Sequence, residues 1–114
     1  MLFRSDVGKA SGVIRSNKGP TYSSNTDCYW SFSASSGAKI QLIFTRFYTE
    51  SNYDHVYVYD GPSLSSPLIG RFSGSSVPSP IYSTHGGLRV RFTSDSSVEK
   101  SGFVARVSGI VFTE

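Results

Sequence analysis

Apolar and polar residues alternate with a period of two along much of the chain. Over 38–47, Ile40, Leu42 and Phe44 fall on one side. Over 55–59, Val56 and Val58 alternate with His55, Tyr57 and Tyr59. Over 87–93, Leu88, Val90 and Phe92 are expected inward, with Arg89 and Arg91 outward, and over 102–107 Phe103, Ala105 and Val107 share a face. Successive side chains of a strand point to opposite faces, so each pattern predicts a half-buried strand of an antiparallel sheet. Cys28, Trp30 and Phe32 alternate in the same way and are expected in the core. No stretch places apolar residues at i, i+3, i+4 and i+7 behind a capping residue, so no helix is predicted.

Turn chemistry separates the strands. Asp60-Gly61-Pro62-Ser63, Ser73-Gly74-Ser75-Ser76, His85-Gly86-Gly87 and Ser101-Gly102 supply glycines that tolerate positive φ. Strands roughly ten residues apart with turns between them imply a β-sandwich or barrel. Composition agrees: 114 residues, 14% aromatic, 11 glycines and five prolines suit one compact sheet domain over 1–114. No apolar run approaches the roughly 18 residues of a membrane span, so no membrane insertion is expected. Met1 to Asp6 contain no apolar signal-peptide core. The domain is therefore expected either to be cut from a longer precursor or to be cytosolic.

Charge changes the picture little. The formal net charge is +3, and the basic residues are scattered singly from Arg4 to Arg106. Their bland reading, a solvated surface, is preferred over a nucleic-acid or acidic-glycan face. A single cysteine, Cys28, cannot close an internal disulfide and leaves the redox compartment open.

Among the acidic residues, Glu50 and Asp54 bracket the short loop Glu50-Ser51-Asn52-Tyr53-Asp54, and Asp95 lies in the loop Ser94-Asp95-Ser96-Ser97. If the strands 40–47 and 87–93 run the same way in space, both loops emerge at one end and three carboxylates converge. Like charges packed together are costly unless a cation sits among them, and hard oxygen ligands suit calcium. Three separately solvated loop carboxylates are the alternative. His55 and His85 have no partners at zinc-ligand spacing. There is no Gly-x-Ser-x-Gly elbow, and in a serine-rich chain a paper triad carries no weight, so no catalysis is expected. Tyr22, Tyr48, Tyr53 and Tyr82 could form a carbohydrate platform, or could pack on the sheet edges.

The order of motifs adds a resemblance. Gly12-Val13-Ile14-Arg15-Ser16 precedes Tyr22, Asn25, Cys28 and Trp30; Ile40 to Phe44 is followed by Phe47 and Glu50. Tyr53-Asp54-His55-Val56-Tyr57-Val58-Tyr59-Asp60-Gly61 and Pro67-Leu68-Ile69-Gly70-Arg71-Phe72-Ser73-Gly74 come next. Pro80-Ile81, Ser83-Thr84, Leu88 to Phe92, Ser94-Asp95-Ser96 and Gly102-Phe103 complete the series. From about Gly12 to Val107 the chain resembles the CUB family. The resemblance implies an all-β, jelly-roll-like antiparallel sandwich of two sheets, extracellular, serving protein interaction or adhesion. It implies a Ca2+ site with Glu50, Asp54 and Asp95 as ligands, a tyrosine at Tyr22 that hydrogen-bonds the ligating Glu, and loops that bind a Lys or Arg of a partner protein. Tyr53, His55 and Ser97 are the rim residues nearest such a partner. Glycan binding through exposed tyrosines, or a spacer role in a longer protein, are the alternatives.

The chain departs from the family pattern in three places. Val98 stands where a subset of the family has an Asn ligand, leaving backbone carbonyls such as that of Ser96, or water, to complete the shell. The loop 50–54 lacks the usual cysteine before Tyr53-Asp54, and Ser73 stands at its partner's position, so the second disulfide is absent as a pair. Cys28 lacks its family partner, expected near residues 1–3. The short loop and Phe72-Ser73-Gly74 also resemble, more distantly, attractin-like CUB domains.

Overall fold

A computed structural model describes residues 12–34, 38–63, 65–96 and 98–111. Eight strands are present: β1 (Gly12–Arg15), β2 (Asp27–Ser33), β3 (Ala38–Tyr48), β4 (His55–Tyr59), β5 (Leu68–Phe72), β6 (Ile81–Tyr82), β7 (Gly87–Thr93) and β8 (Gly102–Val111). They form two four-stranded antiparallel sheets, ordered β1-β8-β3-β6 and β2-β7-β4-β5. The all-β sandwich is thus the architecture that the alternating pattern predicts. Among the described residues no helix is long and apolar enough to cross a membrane.

The inward positions match the period-two reading. Ile40, Leu42 and Phe44 of β3, Val56 and Val58 of β4, Leu88, Val90 and Phe92 of β7, and Phe103, Ala105 and Val107 of β8 are buried together. Cys28, Trp30 and Phe32 join them from β2. Phe103 touches Trp30, Phe44 and Phe92, each at a centroid distance of 5.7 Å and near edge-to-face, the arrangement aromatic quadrupoles prefer. It therefore ties both sheets to one aromatic centre.

Three differences from the sequence expectation have local causes. The pairing of β3 with β8 shifts between Phe44 and Arg46. This bulge turns the chain so that Phe47, three residues after Phe44, is again buried, and Phe44 and Phe47 touch at 5.5 Å. Second, Gly87 and Gly102, read both as turn glycines and as the first residues of the strands 87–93 and 102–107, open β7 and β8, and of the two only Gly102 has a positive φ, 90°. Gly87 is there for space: a Cβ on it would lie 2.5 Å from Pro62 Cδ. Third, Arg89 points outward as expected but is not solvated. It is only 7% exposed, with its guanidinium 3.9 Å over the Tyr29 ring. β1 and β6, at four and two residues, are too short to declare themselves by alternation, and β5, with Leu68 and Ile69 both exposed, has no alternation to read.

Candidate metal centre and its relatives

The register of the second sheet brings two of the acidic residues together. His55 of β4 pairs with Thr93 of β7, so Asp54, just before β4, lies beside the chain leaving β7 toward Asp95. The Asp95 N–H donates to Asp54 Oδ1 at 2.8 Å. Glu50 arrives from the other sheet, two residues beyond the end of β3. The Tyr53 and Asp54 N–H groups both donate to its carbonyl, at 3.2 and 3.0 Å, closing a tight loop. Asn52 adopts φ 69° within that loop, a left-handed conformation Asn tolerates well. The loop is anchored further by Thr49, whose hydroxyl donates to the Asp54 carbonyl at 3.1 Å and accepts from the Gly74 N–H at 3.1 Å.

One oxygen from each of Glu50, Asp54 and Asp95 lies within 4.8 Å of the others. Two oxygens on a single calcium ion are separated by at most about 5 Å, twice the metal–oxygen distance. The spacing therefore fits the ion. Glu50 Oε1 is buried with no hydrogen-bond partner, the condition of a carboxylate oxygen shaped for a cation. Burial first, then the negative charges of Asp95 and Asp54, push the Glu50 carboxyl above its ordinary range. Asp54 is fully buried, and both of its oxygens are engaged, Oδ1 by Asp95 and Oδ2 by Tyr22.

Tyr22 is the keystone of this end. It is 1% exposed, packs edge-on against Phe92 at 4.9 Å, and donates its hydroxyl hydrogen to Asp54 Oδ2 at 2.5 Å. The Tyr22 hydroxyl oxygen in turn accepts the Glu50 backbone N–H at 3.1 Å. Tyr22 thus meets Glu50 through the main chain and gives its proton to the aspartate, where the resemblance implied a bond to the Glu. Burial, then the Asp54 hydrogen bond, hold its phenol protonated well above the usual range. Its burial also removes it from the set of exposed tyrosines considered for glycan binding. The other three are exposed, but Tyr82 pairs with Gln41, seven residues along β3 from Tyr48, a separation of about 24 Å. They do not form one platform.

The remaining sequence candidates are spread around the site. Tyr53 is 64% exposed beside Asp54, and Ser96 is exposed beside Asp95. His55 is half-buried and faces Tyr57 at 5.8 Å. Ser97 lies outside the described residues. Sequence reading quoted Asn25 only as a motif residue and gave no role to the segment 23–26, which braces the Asp95 loop. Asn25 N–H donates to the Asp95 carbonyl at 2.7 Å, Ser94 N–H to the Thr26 carbonyl at 2.9 Å, and the Ser94 hydroxyl to the Ser23 carbonyl at 2.7 Å. Ser73, at the missing cysteine's position, accepts the Asn52 N–H at 3.1 Å. A hydrogen bond links the two segments that a disulfide would join.

The model of the CUB domain matches residues 4–107 of this chain. The chain belongs to the CUB family. CUB domains are non-catalytic protein-interaction modules of extracellular proteins. This CUB chain is 41% identical to human tolloid-like protein 1 over 104 residues, 87% of its own length and 10% of that protein's. It spans about a tenth of such relatives. Among solved structures, the full extracellular region of zebrafish Gpr126/Adgrg6 superposes with a TM-score of 0.84 at 28% identity, covering 96% of this chain and 15% of that one. The MASP-1 CUB2 domain bound to Ca2+ superposes with a TM-score of 0.77 at 23% identity, covering 90% of this chain and 96% of that one. At that identity the likeness is one of fold.

Proposed function

We propose that this CUB domain is an extracellular interaction module whose loops 50–54 and 94–97 hold a calcium ion and present a docking point for a Lys or Arg of a partner protein. The observation that carries the reading is the convergence of Glu50, Asp54 and Asp95 oxygens within 4.8 Å, drawn from both sheets, around a buried and unpartnered Glu50 Oε1. Calcium, when bound, supplies the positive charge that lets these carboxylates stay packed. Glu50, Asp54 and Asp95 would hold it, with the Ser96 carbonyl or water completing a shell of hard oxygens. Tyr22 keeps the Asp54 carboxylate turned toward its neighbours, and the 23–26 segment fixes the Asp95 loop. Charge-assisted hydrogen bonds from a partner's ammonium or guanidinium to the outer carboxylate oxygens are stronger than neutral ones. Tyr53 and His55 would border the place such a side chain would occupy, and Ser97 is the third rim residue of this reading.

The test is thermal unfolding of the chain in chelator and across a calcium titration, for wild type and Asp95→Ala. Extracellular modules bind calcium with Kd of about 0.1–1 mM. About 5 mM calcium should then stabilise the wild type by roughly 1–2 kcal/mol, a rise of several degrees for a domain of this size. Asp95→Ala should show no rise. An equal rise in both proteins, or none in either, overturns the metal reading. Nα-acetyl-lysinamide, titrated at saturating calcium, should shift the amides of Tyr53 and His55 in wild type alone. Unshifted amides alongside an intact calcium response would remove the partner half of the proposal and leave the metal half standing.

A further inference from the structure

The outer face of the β2-β7-β4-β5 sheet carries a second constellation. Pairing puts Tyr29, Arg91, Tyr57 and Arg71 in one cross-strand row and Ser31, Arg89 and Tyr59 in the next. The four strands carry three arginines and no lysine, and Asp27 is their single acid. Arg91 spends its fork on that acid, Nε to Oδ1 at 2.9 Å and Nη2 to Oδ2 at 2.8 Å. Arg89 does not have such a partner. Among the described residues no carboxylate lies within ion-pairing distance of it, and its Nε is buried without a hydrogen bond. A buried Nε–H without a hydrogen-bond partner carries an uncompensated desolvation penalty. The Tyr29 ring 3.9 Å beneath the guanidinium offsets only part of that. The guanidinium is held in place over Tyr29, with only its edge reaching the surface.

We infer that Arg89 is the anchor of a docking surface for an acidic segment of a partner protein, receiving a carboxylate on its guanidinium while Tyr29, Tyr57 and Tyr59 pack against the segment's apolar atoms. Charge complementarity favours an anion, since the face holds three guanidiniums against one carboxylate. Tyrosine and arginine are the residues that dominate protein–protein hot spots. A sulfated glycan fits less well: it is read by rows of cations, and here one of the three guanidiniums is already neutralised. The surface stands apart from the carboxylate cluster, because Arg89 lies four residues along β7 from Thr93, about 13 Å. The inference therefore does not depend on calcium.

The experiment is a nitrogen-15 NMR titration of the chain in chelator, observing backbone amides and arginine Nε–H groups. One arm uses an acetylated hexapeptide of alternating Glu and Tyr, and the other a heparin-derived tetrasaccharide. The peptide should move the Arg89 Nε–H and the amides of Ser31 and Tyr59, with Kd of about 1 mM or tighter. Arg89→Lys, which keeps charge but loses the planar fork, should weaken binding about ten-fold. Exposed Arg71→Glu, at the rim of the face, should weaken it at least three-fold or so with the fold intact. An Arg89 signal unmoved at about 10 mM peptide, an affinity unchanged in Arg71→Glu, or a response to the tetrasaccharide alone would overturn the inference.

Discussion

Val98 holds a conformation its side chain disfavours. It is a β-branched residue at φ 60°, half-exposed, in the stretch that follows Asp95. Left-handed backbone at a non-glycine residue costs about 1–3 kcal/mol, and branching at Cβ puts Val among the worst occupants. Asn reaches the same φ with little strain, as Asn25 and Asn52 do here. Val98→Asn is therefore expected to raise stability by about 1 kcal/mol, a few degrees in thermal unfolding. Measured in chelator, the gain belongs to the backbone alone. A further gain in calcium would mean that the new side-chain oxygen also reaches the ion. No gain in chelator would mean that Val98 is not strained. At this scale the sequence was half legible. Glu50, Asp54 and Asp95 could be named because acidic residues are few in this chain and the strands before Glu50 and Asp95 lead into two loops expected at one end. That Tyr22 donates to Asp54 rather than Glu50 depends on a hydroxyl rotor and one backbone N–H, which no pattern encodes.

At the scale of strands, alternation located β3, β4, β7 and β8, the inward residues Cys28, Trp30 and Phe32 of β2, and the core residues within them. It missed what pairing adds across a sheet. Arg89 and Arg91 look alike on β7, yet one is buried over Tyr29 and the other is forked onto Asp27, because of what β2 places beside each. The Asp27–Arg91 pair makes a pH prediction. The bidentate hydrogen bonds from Arg91, chiefly, hold the Asp27 carboxyl below its ordinary range. A carboxyl whose folded pKa is depressed adds stability above its unfolded pKa of about 3.9, and loses it as pH falls through the folded value. Both side chains are substantially exposed, at 39% and 51%, so solvent screening limits the pair to about 0.5 kcal/mol. Asp27→Asn should thus be slightly less stable than wild type in urea unfolding at neutral pH. The difference should shrink as pH falls through the folded Asp27 value, below which Asp and Asn at this position are both neutral. A difference that persists in acid would assign the effect to packing of β2 on β7 rather than to charge.

Across the whole molecule, the carboxylate cluster sits where the two sheets meet at one end. Glu50 follows β3 of the first sheet, while Asp54 and Asp95 flank β4 and β7 of the second. A cation there would bridge the sheets much as Phe103 does in the core. Without a cation the same end holds three carboxylates in close approach, and the burial of Glu50 Oε1 sharpens their repulsion. Metal ligation and like-charge repulsion thus act on the same residue with opposite sign, and Glu50→Gln separates them. Its amide keeps the shape of the side chain, removes one negative charge and weakens an ionic ligand. In chelator the variant should unfold at a higher temperature than wild type, because the repulsion is relieved. In millimolar calcium the order should reverse, because only the wild type gains the full stabilisation of the ion. A crossing of the two titration curves is the signature of carboxylates gathered for a metal. If Glu50 were instead a solvated loop carboxylate, neutralising it would leave the two curves parallel, since neither repulsion nor calcium would discriminate between Glu and Gln at that position.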